Sequence, residues 1–456
     1  MRVERDTLGE VLVPDDALYG AQTQRAVENY PVSGLREHPV FIRTFIQLKR
    51  AAALANRELG VMDSETADAI VKASDELLAD FEKYRGQFVV DVFQAGAGTS
   101  FNMNVNEVIA TLAGKAIHPN DHVNMSQSTN DVFPTAIRIA GLLLLNELLP
   151  HLDTLASVFD AKGDEFADVI KSGRTHLQDA VPVTLGQELH AYASATRRAT
   201  KLLRDAAREL HILGIGGTAA GTGINTPLGY RFAVVRQLRD MTGLDLQSSD
   251  DLREAMQSQL PVVAVSAALR NLALDLTRIT NDLRLLASGP LTGLAEIILP
   301  AVQPGSSIMP GKVNPSMLEC MNQVLFHVIG AATAIDYASQ AGQLELNVMM
   351  PLMAFELTFS IEILKNYLPV FIEKCIRGIA ADRERCEAYY VSSPSLATAL
   401  NPIIGYARAA EIAKEAAKSG TPVPQLLREK GLMSDAEIAR IFTPEFLAGQ
   451  ADRKVE

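Results

Sequence analysis

Eight apolar residues, Val262, Val265, Leu269, Leu272, Leu276, Ile279, Leu283 and Leu286, recur at steps of 3, 4, 3, 4, 3, 4 and 3. An unbroken seam of this kind specifies a helix with one apolar face along its whole length. At 1.5 Å per residue the seam is about 36 Å long, so it demands partner helices of similar length. Arg270, Asp275, Arg278 and Asp282 fall off the seam. The stripe is therefore bundle core, with no cofactor implied.

Other segments carry the same helical period. Helices are expected over 41–60, 64–83, 131–149, 151–171, 184–212, 228–241, 251–288, 316–341 and 351–380, with shorter ones at 405–419, 423–430 and 434–442. Asp63 or Ser64 serves as N-cap of the second, because a short polar side chain accepts from the free N–H groups there. Pro134 falls in the first turn of the third, where its missing N–H costs little, and Pro150 ends that helix. Pro261 and Pro369 should kink the helices that contain them. Ser434 and Glu437 have capping-box spacing. β-Signals are few, with a short strand expected at 9–13. The stretch from Gly214 to Gly229 holds six glycines and reads as a loop or hairpin. No P-loop or dinucleotide-binding spacing follows a strand there, which argues against a nucleotide site.

With 456 residues the chain is too long for one simple core, and the shift to shorter helices marks a separate small domain from about residue 390. A net charge of −12 argues against a nucleic-acid partner, whose binding surface is basic. It leaves room for an anionic ligand in a locally basic pocket. Cys320, Cys375 and Cys386 are widely spaced, so neither a disulfide scaffold nor a thiolate zinc site is indicated. The opening Met1-Arg2-Val3-Glu4-Arg5-Asp6 is charged, unlike a secretory signal. The apolar run Leu142–Leu145 is broken by Asn146 and Glu147, and no membrane-spanning segment is expected. The protein is expected to be cytoplasmic.

Polar chemistry concentrates in five segments. The first is Gly305-Ser306-Ser307-Ile308-Met309-Pro310-Gly311-Lys312-Val313-Asn314-Pro315. Its glycines and prolines fix an unusual loop carrying a hydroxyl, a positive charge and an amide. Those groups can hold a carboxylate and remove a proton beside it. The second, Gly96-Ala97-Gly98-Thr99-Ser100-Phe101-Asn102-Met103-Asn104-Val105-Asn106-Glu107, places asparagines at alternate positions, although Asn is a weak helix former. The third, Ser126-Gln127-Ser128-Thr129-Asn130-Asp131, leads into a helix whose free N–H groups suit an anion. The others are Gly173-Arg174-Thr175-His176-Leu177-Gln178-Asp179 and Gln340-Ala341-Gly342-Gln343-Leu344-Glu345-Leu346-Asn347. Each alone is compatible with capping and turn chemistry.

Together these segments resemble the fumarase/aspartase superfamily of lyases, and the resemblance runs from Tyr19-Gly20-Ala21-Gln22-Thr23 to the C-terminal helices. It implies an all-α fold with a long central helical bundle flanked by two smaller domains, here 1–125, 126–389 and 390–456. It also implies a homotetramer whose bundles form a 20-helix core, with each active site drawn from three subunits. The implied reaction eliminates a leaving group from a succinyl-type substrate to release fumarate, with no cofactor and no metal. By the same resemblance Ser306 is the catalytic base, acting from a mobile loop. His176 is the active-site histidine, and Glu319 is the acidic residue that pairs with it. Lys312 and Asn314 hold carboxylates, with Thr99, Ser100, Ser128, Thr129, Asn130 and Thr175. A serine alkoxide needs N–H donors and positive charge nearby, for which the loop amides and Lys312 are candidates. His118, in His118-Pro119-Asn120-Asp121, matches a secondary anion-site loop of fumarases. His38, His122, His151, His190, His211 and His327 read as surface or core residues without metal-ligand spacing.

Within the family, Asn102-Met103-Asn104 and His118-Pro119-Asn120-Asp121 look like the fumarase and aspartase branch rather than argininosuccinate or adenylosuccinate lyases. Ala97, Thr129 and Ala341-Gly342-Gln343 are similar to aspartases, which implies L-aspartate as substrate. Ala21-Gln22-Thr23-Gln24 is similar to fumarases, which keeps L-malate as the alternative. Leu291 stands where the family commonly has arginine, and the segment from Glu107 to His118 is short for a member. Some members serve as structural lens proteins, so fold alone does not establish catalysis.

Overall fold

The computed structural model describes residues 1–449. Helices dominate, and the strands among the described residues form four two-stranded ribbons. Five long helices carry the architecture: Thr129–Glu165, Leu185–Ala207, Leu260–Leu286, Ser316–Gln340 and Met350–Phe371. All eight seam residues are at most 7% exposed, so the heptad seam is the core stripe that its spacing implied.

Two compact units divide the chain. One comprises Met1–Pro150, Lys201–Leu274 and Val324–Asn366, and the other His151–Thr200, Asp275–Gln323 and the residues from Tyr367 on. Each long helix contributes a segment to both. Within the first unit, Arg270 faces Asp336 at 3.5 Å, Lys365 faces Glu147 at 3.0 Å and His327 faces Glu356 at 3.8 Å. These pairs make neighbours of four of the long helices. Phe41, Phe45, Phe101 and Phe133 form a buried aromatic cluster with centroids 5.1–5.7 Å apart. A Cβ on Gly98 would lie 2.0 Å from the Phe133 ring, so the close approach requires glycine.

Within the second unit, the Tyr192 hydroxyl donates to Asp282 at 3.3 Å and Asn322 Nδ2 to Asn281 Oδ1 at 2.9 Å. The Tyr367 hydroxyl donates to the Met317 carbonyl at 2.9 Å. The short helices from Arg383 on share a cluster that includes Tyr390, Leu400, Ile412, Leu427 and Ile438. The domain expected over 390–456 extends past the described residues.

Most element expectations match. Asp63 caps helix Ser64–Ala79, the capping box at Ser434 is formed, and Gly9–Val13 pairs with Arg2–Asp6. Three differ. The expected break at Pro150 is absent, and one helix runs from Thr129 to Glu165 through Pro134 and Pro150. Leu145, Leu148, Leu152 and Leu155 are buried on both sides of Pro150, and that burial outweighs the lost hydrogen bond. The expected 251–288 helix is two, Leu252–Gln257 and Leu260–Leu286. Pro261 thus occupies a first turn, where no N–H is needed. The third difference is a β-hairpin, Ile170–Thr175 with Gln178–Thr184, over residues given to a helix end and a loop.

Thr129–Glu165, Leu260–Leu286 and Ser316–Gln340 are long and apolar enough to cross a membrane by length and composition, which the sequence reading did not anticipate. Their apolar windows are 78%, 44% and 44% buried inside the fold.

Candidate active site

The first unit holds two of the polar segments at adjoining helix starts. Thr99 and Ser100 open helix Thr99–Ala113 behind Gly98, whose φ of 85° is left-handed. Ser128 precedes helix Thr129–Glu165; its Oγ accepts from Asn130 N at 3.2 Å, and its N–H donates to Asp131 Oδ1 at 3.0 Å. Asn102 Nδ2 joins the two starts by donating to Thr129 Oγ1 at 2.9 Å. Asn104 is spent on Val89 N–H and Gln87 C=O, both at 2.9 Å, and Asn106 donates to Asn124 Oδ1 at 3.2 Å. The alternate asparagines are therefore ties between segments.

Beneath these starts lies Lys49, fully buried. Its ammonium donates to Asn102 Oδ1, Asn124 Oδ1 and Gln127 Oε1 at 2.7, 3.0 and 3.0 Å. Burial pushes it down to about 7, and burial pushes Asp131 up to about 6. Asp131 Oδ2 accepts from Gly216 N and Thr218 N, both at 2.9 Å, and Asn130 Nδ2 donates to Ala219 O at 2.9 Å. The glycine-rich loop is thus a strap on this segment. Two helix N-termini over a buried lysine form a field suited to a carboxylate. The segment ending at Asn347 is structural: Asn347 Nδ2 caps helix Ser316–Gln340 at Ala338 O and Ser339 O, 3.1 and 2.9 Å away.

Glu37 is tied to the same region. Its Oε1 accepts from Gln94 Nε2 at 3.2 Å, and Gln94 Oε1 accepts from Phe101 N at 2.9 Å in the first turn of the Thr99 helix. Burial, with the Asp91 charge adding to it, pushes Glu37 up to about 8. A carboxyl raised in this way stabilises the fold fully below its unfolded value near 4.5, and that contribution is lost as pH rises through about 8. Glu37→Gln should therefore gain about 2–3 kcal/mol relative to the wild type between pH 6 and 9. Urea unfolding at the two pH values measures it; a pH-independent difference would contradict the assignment.

The second unit holds the remaining segments. In the loop from Gly305 to Pro315, Gly305 N donates to Lys312 O at 2.7 Å and Asn314 Nδ2 to Gly305 O at 2.6 Å. A Cβ on Gly305 would lie 2.6 Å from Lys312 O, so the loop closes only over glycine. Ser306 Oγ accepts from Ile308 N at 3.2 Å and Met309 N at 3.0 Å. Two N–H donors aimed at one hydroxyl oxygen favour its deprotonated form. Lys312 is exposed, and Asn314 is partly buried.

Thr175 and His176 sit exposed at the tip of the hairpin. His176 and Leu177 both have φ of 56°, the type I′ pattern. Neither is glycine, so each left-handed residue costs about 1 kcal/mol. Glu319 lies 4.0 Å from Arg284, and among the described residues no ion pair within the chain joins it to His176.

The lyase family profile matches residues 9–330, and the profile for the fumarase C C-terminus matches residues 396–449. The chain belongs to the fumarase/aspartase family of lyases. This lyase is 47% identical to an aspartate ammonia-lyase from a Bacillus species over 454 residues, 97% of either chain. A cobalt-bound fumarate lyase:delta crystallin from Brucella melitensis superposes with a TM-score of 0.93 at 47% identity, covering 97% of this chain and 98% of that one. Class II fumarase from Schistosoma mansoni gives a TM-score of 0.93 at 35% identity, covering 98% and 99%.

Sequence reasoning missed Lys49, Arg174, Lys171 and Glu296. Lys49 had a signal: it interrupts the helical stripe Phe45, Lys49, Ala52, Asn56, where an apolar residue is expected. Glu296 had none, because its partners lie more than a hundred residues away in sequence.

Proposed function

We propose that this lyase is an aspartate ammonia-lyase, converting L-aspartate reversibly to fumarate and ammonia. The observation that carries the substrate is near full-length identity of 47% to an aspartate ammonia-lyase, against 35% to a class II fumarase. Ala97 and Thr129 support the same choice.

In this reading Ser306 Oγ removes the proton on the carbon next to the substrate's β-carboxylate. The freed electron pair moves into that carboxylate, giving a dianionic aci-carboxylate. It returns to form the C=C bond as the C–N bond breaks, and the nitrogen leaves as ammonia. Lys312, Asn314, Thr175, Thr99, Ser100, Ser128, Thr129 and Asn130 hold the carboxylates and steady the extra charge. Glu319 pairs with His176 between chains, orienting its imidazole. No organic cofactor takes part, and the enzyme is cytoplasmic. Release of fumarate and ammonia from L-aspartate in equal amounts tests the reaction; fumarate without ammonia would contradict it.

The site is shared among the chains of a homotetramer organised as 1–125, 126–389 and 390–456. Large apolar side chains left exposed on the long helices support this: Leu202 at 50%, Leu274 at 53%, Phe326 at 55% and Tyr337 at 67%. Exposed apolar side chains on three of the long helices suit burial against further copies of the chain. Light scattering at micromolar concentration should give about four chain masses. An active monomer would exclude a shared site.

A further inference from the structure

We propose that Glu296 is a positioning residue for the elimination: through Arg174 it holds the hairpin of Ile170–Thr175 and Gln178–Thr184 in the form that presents Thr175 and His176. The proposal rests on the reading of Thr175 and His176 as site residues.

Glu296 is completely buried. Arg174 Nη1 donates to both of its oxygens, at 2.9 and 3.0 Å, and Lys171 Nζ lies 2.8 Å from Oε2. Lys171, itself buried, donates to both oxygens of Glu188 at 2.9 Å. Two carboxylates and two cations thus satisfy one another at the base of the hairpin. Buried ion clusters are poor sources of stability, because well-packed apolar groups do as well or better. What such a cluster supplies is a fixed geometry.

The hairpin needs that geometry. His176 and Leu177 hold left-handed φ without glycine, and Leu177 is 71% exposed. Packing at the tip therefore does not maintain the turn, and strained backbone persists only where surrounding structure over-determines it. The strand pairing shifts register between Ser172 and Arg174, so the strand is re-aimed immediately before the site residues. A Cβ on Gly173 would lie 2.6 Å from Val181 O, leaving no slack there. The other end of the tie is anchored too. Glu296 N donates to Leu286 O at 2.9 Å, and its carbonyl accepts from Asp382 N at 3.0 Å. Nine residues later the chain enters the loop at Gly305. Glu296 therefore references the hairpin to the segment that delivers Ser306.

The test compares Glu296→Gln, Arg174→Lys and the double variant with His176→Asn, using L-aspartate as substrate and circular dichroism to measure the folded fraction. Glu296→Gln and Arg174→Lys should each lower kcat per folded chain about tenfold or more, with KM changing less than about threefold. The double variant should lose no more than the worse single, because both cut one tie. Should Glu296→Gln fail to fold, Arg174→Lys decides, since it keeps the charge but replaces the planar guanidinium by a compact, more strongly hydrated ammonium on a flexible stem. Lower Tm with unchanged kcat per folded chain would overturn the proposal, provided His176→Asn has lost activity. Full activity in His176→Asn would instead overturn the reading of the site, and the proposal with it.

Discussion

Ser306→Ala should abolish fumarate formation, lowering kcat by about 10³-fold, while helix content, Tm and assembly stay at wild-type values. The separation of effects follows from where the hydroxyl sits. Its oxygen is the shared acceptor of Ile308 N and Met309 N in a loop whose residues from Ser307 to Val313 are exposed. Water can satisfy both N–H groups once the oxygen is gone, so the substitution costs little stability. Catalysis has no such substitute. The proton beside a carboxylate is poorly acidic, and water lacks both the position and the paired donors that favour an alkoxide. Near-wild-type kcat in the variant would dismiss Ser306 as the base. A loss confined to KM would assign it to binding.

The sequence carried the helical scaffold because helical period is local. The seam from Val262 to Leu286 is buried at every position, and caps at Asp63 and Ser434 stand where short polar side chains precede the periodic runs. Pro150 does not end its helix, because leucines buried on both sides outweigh the local preference of proline. The hairpin escaped because Lys171-Ser172-Gly173-Arg174 has little β-character, while Val181, Val183 and Thr184 on its partner were weak evidence alone. The residue its Arg174 is tied to, Glu296, is far away in the chain.

The candidate site divided in the same way. Ser306 and its loop stood out because glycine and proline mark unusual backbone. Thr99, Ser128, Thr129 and Asn130 stood out as polar residues at helix starts. Lys49 did not, since a lysine on a helix reads as solvated until its surroundings are known. The proposed pairing of His176 with Glu319 is one between chains, which a single chain does not contain.

Selectivity for L-aspartate over L-malate is the second large effect expected. Both substrates present the same two carboxylates and the same acidic C–H, so in the proposed mechanism Ser306, Lys312 and Asn314 would serve either. Discrimination lies with the leaving group. An ammonium leaving group is a donor and needs acceptors, whereas departing hydroxide needs a proton donor. Ala97 contributes no hydroxyl, and Thr129 Oγ1 accepts from Asn102 Nδ2 at 2.9 Å, which leaves its own O–H free to donate and its second lone pair free to accept. The amide oxygen of Asn130 remains an acceptor while its Nδ2 is held by Ala219 O. A site that pairs buried polar groups with one leaving group leaves them unpaired with the other, and rejects it by about 10²–10⁴ in kcat/KM. Parallel assays of L-aspartate and L-malate, both followed as fumarate absorbance, measure this directly. Aspartate turnover exceeding malate turnover by that margin is the expected result; faster malate turnover with no ammonia released from aspartate would make the chain a fumarase.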